Sequence, residues 1–160
     1  MVTLTWRSEV VPEDVERIEH VCAATGFFTP TECRLAGKLV EARIEQGPPS
    51  GYDFIIAADG DSIAGYSCFG LIDGTESAYD LFWIVVDPNR QGGGLGTQLL
   101  THTEAAIRAA GGSRYYAETS STDKYAPTRK FYLRAGFSEV ANIADFYRPG
   151  DGKVIYERVL

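Results

Sequence analysis

Residues 89–100 read NRQGGGLGTQLL: three consecutive glycines, a leucine, a fourth glycine, and then a helical pattern. Just ahead, residues 82–88 (FWIVVDP) have the composition of a strand. A strand that runs through glycines straight into a helix gathers unpaired N–H groups and the positive end of a helix dipole at one point. That is an anion site by construction, and side chains there would hold a phosphate away. A tight turn alone does not call for four glycines. No lysine follows them, so the loop is not a P-loop. Gly92-x-Gly94 begins a dinucleotide fingerprint, and Glu118 stands about where a ribose-binding acid belongs. The third fingerprint position is Thr97, however, and the strands ahead are hairpin-joined. A nucleotide-binding domain is therefore the weaker reading of the loop.

Outward from the loop, the pattern alternates cleanly between helix and strand. Residues 2–7 (VTLTWR) alternate like a short strand. Pro12-Glu13-Asp14 opens a helix whose acids suit its positive end, with Val15, Ile18, Val21 and Cys22 on the apolar face and Gly26 as the stop. Thr29-Pro30-Thr31-Glu32 is a capping box, and the helix behind it carries Leu35, Leu39, Val40 and Ile44 and ends by Gly47-Pro48-Pro49. YDFIIAAD (52–59) and SIAGYSCFGLI (62–72) are strands joined by a hairpin at Asp59-Gly60-Asp61. AYDLFWIVVD (78–87) is apolar on both faces and so central. The helix at 95–110 buries Leu95, Leu99, Ala106, Ile107 and Ala110. RYYAETS (114–120) is the next strand, and a helix spans 127–135, from Pro127 to the stop at Gly136. FSEVANIADFY (137–147) and KVIYERVL (153–160) close the chain around the turn RPGDG (148–152). The order β–α–α–β–β–β–α–β–α–β–β predicts a single α+β domain over 1–160. Its sheet is mixed, mostly antiparallel, of about seven strands, flanked by helices.

Composition narrows the function. The 160 residues are 44% hydrophobic and 23% charged, an ordinary globular balance. A net charge of -7 argues against a general nucleic-acid binder, and no run approaches the length of a membrane helix. Cys22, Cys33 and Cys68 form no CxxC and read as buried apolar residues in a reducing cytoplasm; no signal-peptide pattern is visible. His20 and His102 lack metal-ligand spacing and read as helix-surface residues, so no metal is expected.

Gln91-Gly92-Gly93-Gly94-Leu95-Gly96 matches the Q/R-x-x-G-x-G/A signature of the GNAT (GCN5-related N-acetyltransferase) superfamily. PTRKFYLRAGF (127–137) resembles its second hallmark, a helix ending in FYxxxGF. The two motifs stand in family order, each after its own strand, and the likeness covers nearly the whole chain. The resemblance implies acetyl-CoA as acetyl donor. Its pyrophosphate would lie on the N–H groups of Gln91, Gly92, Gly93, Gly94, Leu95, Gly96 and Thr97, and its pantetheine arm along the backbone of Ile84, Val85 and Val86. The family often carries a basic residue where this chain has Gly93, which leaves Arg90, Arg129 or Lys130 to meet the phosphates.

The resemblance implies transfer to a primary amine, and that chemistry makes three demands. A protonated amine must lose a proton before it attacks, an oxyanion needs an N–H donor (here the backbone near Val85), and the departing thiolate needs an acid. Tyr132 matches the tyrosine of the family's FYxxxGF helix and is the expected acid. Asp80 and Glu118 lie on strands where different family members place a base; a water chain with no single base is the third option. The acceptor pocket is expected from residues 23–30 and 144–151, with Phe27, Phe28, Trp83 and Tyr147 as lining. The partner is a small-molecule or peptide amine, with neither nucleic acid nor membrane, and a homodimer is compatible with this. A non-catalytic acyl-CoA-binding module of the same fold is the alternative.

Overall fold

In the computed structural model, which describes residues 3–160, the elements run β1 (Thr5–Arg7), α1 (Asp14–Ala24), α2 (Pro30–Gln46), β2 (Asp53–Asp59), β3 (Ser62–Leu71) and β4 (Ala78–Val86). They continue as α3 (Leu95–Ala109), β5 (Arg114–Ser120), α4 (Ala126–Arg134), β6 (Ser138–Arg148) and β7 (Asp151–Val159). This is the order expected from the sequence. Short 3-10 turns precede β2, α3 and α4. The strands form a mixed seven-stranded sheet in the order β1-β2-β3-β4-β5-β7-β6, with β4 parallel to β5. The pairs β1/β2, β2/β3, β5/β7 and β6/β7 are antiparallel. Val2, expected in the first strand, lies outside the described residues. The backbone falls into two compact units: the chain up to Gly70 with Leu81–Ala106, and Leu71–Asp80 with Ile107–Leu160.

In the first unit α1 and α2 pack through Ile18, Val21 and Cys22 against Cys33, Ala36 and Val40, over Phe54, Ile56, Tyr66 and Cys68 of the strands. The capping box is present: Glu32 N–H donates to Thr29 Oγ1 at 3.2 Å and Thr29 N–H to Glu32 Oε1 at 3.1 Å. The apolar face of α2 differs from the expected one. Leu35 and Ile44 are exposed, and the buried stripe is Cys33, Ala36, Gly37 and Val40. Small residues win because α1 comes close; a Cβ on Gly37 would run into the side chain of Glu19. On α3 the buried residues are Leu95, Leu99, Leu100, Thr103 and Ile107, while Ala110 is exposed. Thr103 is tolerated there because its hydroxyl donates to the Leu99 carbonyl and shares a 2.7 Å bond with Ser67.

Asp14, read from sequence as an acid suited to the positive end of a helix, is fully buried. Arg7 of β1 grips it with two bonds of 2.7 and 2.8 Å, and the Val11 N–H donates to it at 2.9 Å. It therefore ties the first strand to the first helix.

In the second unit β7 lies between β5 and β6. Tyr115, Ala117 and Thr119 share one buried face with Val154 and Tyr156. The opposite face carries Tyr116, Glu118 and Ser120 beside Glu157, Ile155 and Lys153. The expected five-residue turn tightens to Pro149-Gly150, because Asp151 and Gly152 already belong to β7. The β6 ladder jumps from Ile143 paired with Lys153 to Arg148 paired with Asp151, so residues 144–147 arch out of register. Asp145 sits in that arch at φ 56, and its Oδ1 accepts a 2.7 Å bond from the Gly150 N–H.

Candidate functional site

The glycine loop and the end of β4 belong to the first unit. Within the second unit, β4 pairs with β5 through Ala78, Tyr79 and Asp80 against Arg114, Tyr115 and Tyr116. Ile84, Val85 and Val86 of the same strand lie in the first unit. Val85 turns its carbonyl toward β3, where it would be 2.9 Å from a Cβ on Gly65, and the Asp87 N–H donates to the Ala64 carbonyl at 2.8 Å. By alternation, the main-chain groups on the other edge are those of Ile84 and Val86. The Val86 carbonyl accepts Gln91 Nε2 at 3.2 Å, which fixes the start of the loop to the end of the strand.

Gly92 and Gly94 take φ values of 84 and 82, a left-handed region that side chains resist. The Gly94 carbonyl accepts the first helical bond of α3, from the Gln98 N–H at 3.0 Å. Among the described residues, the N–H groups of Gly92, Gly93, Gly94, Leu95, Gly96 and Thr97 find no acceptor in the chain. They form a row of donors at the positive end of a 15-residue helix. Arg90 is ion-paired with Asp59, so its guanidinium is already engaged. What the loop offers an anion is mainly its backbone.

Of the aromatic residues expected at the acceptor, Phe28 and Trp83 meet in this unit with ring centroids 4.9 Å apart, and Phe27 stands edge-on to Phe28. Both Phe28 and Trp83 are partly buried against the core.

The second unit holds the titratable groups. Tyr132 of α4 is buried among Phe131, Phe137 and Tyr156, at centroid distances of 5.6, 5.1 and 5.7 Å. Burial pushes its phenol well above the ordinary tyrosine value, so it keeps its proton. The hydroxyl has no hydrogen bond among the described residues, yet no fully buried side-chain oxygen there is left without one. Asp80 and Glu118 lie on the opposite face of these strands and interact electrostatically. Burial, then the charge of Glu118, raises the Asp80 carboxyl above its usual value, with Lys153 acting against them. Lys153 Nζ donates to Glu118 Oε2 at 2.7 Å and lies 4.4 Å from the centre of the Phe146 ring. Tyr147 packs edge-on to Phe146, and its phenol is raised chiefly by burial. Arg129 donates 2.8 Å bonds to the carbonyls of Ser120 and Thr122, which fixes its head to the turn after β5.

Sequence reasoning missed Lys153 and Phe146. Strand β7 pairs with β5 by skipping β6, so nothing local in the sequence announces that residue 153 meets residue 118. Among the described residues no group of His, Cys, Asp and Glu is placed to hold a metal ion. None of their helices is long and apolar enough to cross a membrane.

The acetyltransferase (GNAT) family model matches residues 18–137. A crystal structure from Desulfovibrio desulfuricans, assigned to the GNAT acetyltransferases, is 44% identical over 98% of this chain and 99% of its own, with a TM-score of 0.95. An aminoglycoside 6'-N-acetyltransferase solved with coenzyme A shares the fold at 15% identity, with a TM-score of 0.76 over 97% of this chain and 96% of its own. A Salmonella typhimurium protein solved with acetyl-CoA does so at 20% identity, with a TM-score of 0.75 over 99% and 94%. No curated protein sequence matches this one. With three quarters of its length under the family model and a near-superimposable relative, the chain belongs to the GNAT family of acetyltransferases.

Proposed function

We propose that the protein transfers an acetyl group from acetyl-CoA to a primary amine of a small molecule or peptide in the cytoplasm. The row of unspent N–H groups from Gly92 to Thr97, at the start of α3, carries this reading. A pyrophosphate satisfies such a row, and an extended amide-bearing arm suits the main-chain groups of Ile84 and Val86. Acetyl-CoA has both, and related folds have been solved with coenzyme A or acetyl-CoA. Three free, buried cysteines suit a reducing compartment.

Acetyl-CoA supplies an activated acyl carbon; the chain manages two protons. The acceptor arrives as an ammonium and gives one proton to a carboxylate, which passes it to water. As the C–N bond forms and the C–S bond breaks, the electron pair leaves on sulfur, which takes the Tyr132 hydroxyl proton. The second nitrogen proton, lost as the amide forms, passes through water to the Tyr132 phenolate and restores the acid. Placing the carboxylates and Tyr132 on opposite faces suits this division, since nitrogen and sulfur need their proton partners at different ends of the acyl carbon.

Thiol release from acetyl-CoA across a panel of amines tests the reading. Tyr132→Phe is expected to lower kcat roughly 10- to 100-fold, with water as substitute acid, while leaving CoA affinity unchanged. Tight CoA binding with no thiol release for any amine would leave a non-catalytic acyl-CoA module and end the enzyme reading.

A further inference from the structure

We propose that Lys153 is a positioning residue that engages the Glu118 carboxylate and leaves Asp80 as the proton acceptor for the incoming amine. This rests on the acetyltransferase reading above and assigns a residue that the family motifs do not include.

Lys153 is held from two sides. Its ammonium donates to Glu118 at 2.7 Å and faces the Phe146 ring at 4.4 Å, and its side chain is only 17% exposed. Phe146 sits in the arch of residues 144–147, where β6 abandons its register and Asp145 adopts a left-handed φ of 56. A broken ladder and a non-glycine residue at positive φ both cost stability. The 2.7 Å bond from the Gly150 N–H to Asp145 holds that conformation. The arch thus places an aromatic face against a cation that a carboxylate already binds.

With Glu118 occupied, the two carboxylates are unequal. Glu118 Oε2 spends a lone pair on Lys153. The half-buried Asp80 carboxylate makes no hydrogen bond or ion pair among the described residues. The charged groups acting on it are Glu118 from β5 and Lys153 from β7; Tyr116, its neighbour across the ladder, donates its hydroxyl to Glu157. Burial and Glu118 favour a proton on Asp80, and Lys153 opposes them. Asp80 is therefore an unencumbered carboxylate with raised proton affinity, which is what a base near neutral pH requires. The ammonium proton passes to an Asp80 oxygen before the C–N bond forms and then moves to water; no bond to Glu118 or Lys153 is made or broken.

The test uses the full chain and four variants, with an acceptor from the amine panel and kcat/KM followed against pH. Asp80→Asn is expected to lower kcat on the order of 100-fold and to remove the acid limb. Glu118→Gln is expected to retain that limb. Lys153→Met moves it to higher pH, because the cation that eases Asp80 ionisation is gone; Lys153→Arg restores it. A lysine that only supported the fold would lower kcat at every pH without moving the limb. Loss of the limb in Glu118→Gln and its survival in Asp80→Asn would hand the base role to Glu118 and overturn the proposal. If the wild type turns over no amine, the acetyltransferase reading fails by itself. Carbon-13 titration of the Asp80 carboxyl in wild type and Lys153→Met needs no acceptor, and an unchanged Asp80 midpoint overturns the role of Lys153.

Discussion

Gly94→Val is expected to abolish CoA binding, raising the dissociation constant at least about 100-fold, while Gly93→Arg binds CoA within about twofold of wild type. The two glycines are neighbours, but their backbones differ. Gly94 holds φ 82 and its carbonyl starts the hydrogen-bond ladder of α3. A β-branched residue there strains the backbone by roughly 1–3 kcal/mol. The strain can be relieved only by turning the N–H row. No protein atom lies within 4 Å of a Cβ added at Gly94, so the substitution meets no packed core and the domain stays folded. Gly93 has no left-handed φ, and the nearest atom to an added Cβ is the Arg90 carbonyl oxygen at 3.8 Å. An arginine fits there and brings a cation beside the helix start, where Arg90 is tied to Asp59. Titration calorimetry with CoA reads both variants, and circular dichroism checks the fold. If Gly93→Arg lost CoA while Gly94→Val kept it, the N–H row would not be the pyrophosphate seat.

What the sequence made legible follows from which features are local. The loop, its strand and its helix are contiguous, and glycine spacing together with the FYxxxGF helix points to the family from sequence alone. The capping box at Thr29 and Glu32 is likewise a contact three residues long. Helix faces were less legible. Periodicity chose Leu35 and Ile44 for the inside of α2, but the close approach of α1 favours Cys33, Ala36 and Gly37. The family resemblance pointed to Glu118 on β5, but it gave no hint of Lys153, which comes from a strand paired out of sequence order. The arch at 144–147 was invisible because FSEVANIADFY reads as unbroken strand. Only the short polar side chain of Asp145, which tolerates a left-handed backbone, fits the break. Arg90 was one of the cations offered to the phosphates in place of a basic residue at Gly93; its ion pair with Asp59 was not legible because the two are distant in the chain.

Asp14 gives the second large effect, on stability. Asp14→Ala is expected to lower the free energy of unfolding by about 3 kcal/mol at neutral pH. The carboxylate is fully buried and takes both Arg7 nitrogens, the Val11 N–H and a 3.3 Å contact from Arg17. Removing it leaves the Arg7 guanidinium without its anion and the Val11 N–H without an acceptor. The expected loss sits at the low end for broken buried pairs because Arg7 keeps 26% exposure and can turn to water. The pH dependence has a defined sign. Burial alone would raise the Asp14 carboxyl, but the Arg7 hydrogen bonds, the Val11 N–H, the Arg7 charge and Arg17 outweigh it and hold it below the usual aspartate range. A carboxyl depressed in the folded state adds stability that is fully present above its unfolded value of about 3.9 and is lost as pH falls through the lower folded value. The gap between wild type and Asp14→Ala should therefore stay constant from pH 7 to about 5 and shrink below about 4. Urea unfolding at pH 7, 5 and 3 measures it. Equal stability of the two proteins at pH 7 would mean that Arg7 and Asp14 do not fasten β1 to α1, and a gap that persists undiminished at low pH would mean that the carboxylate's charge is not what does it.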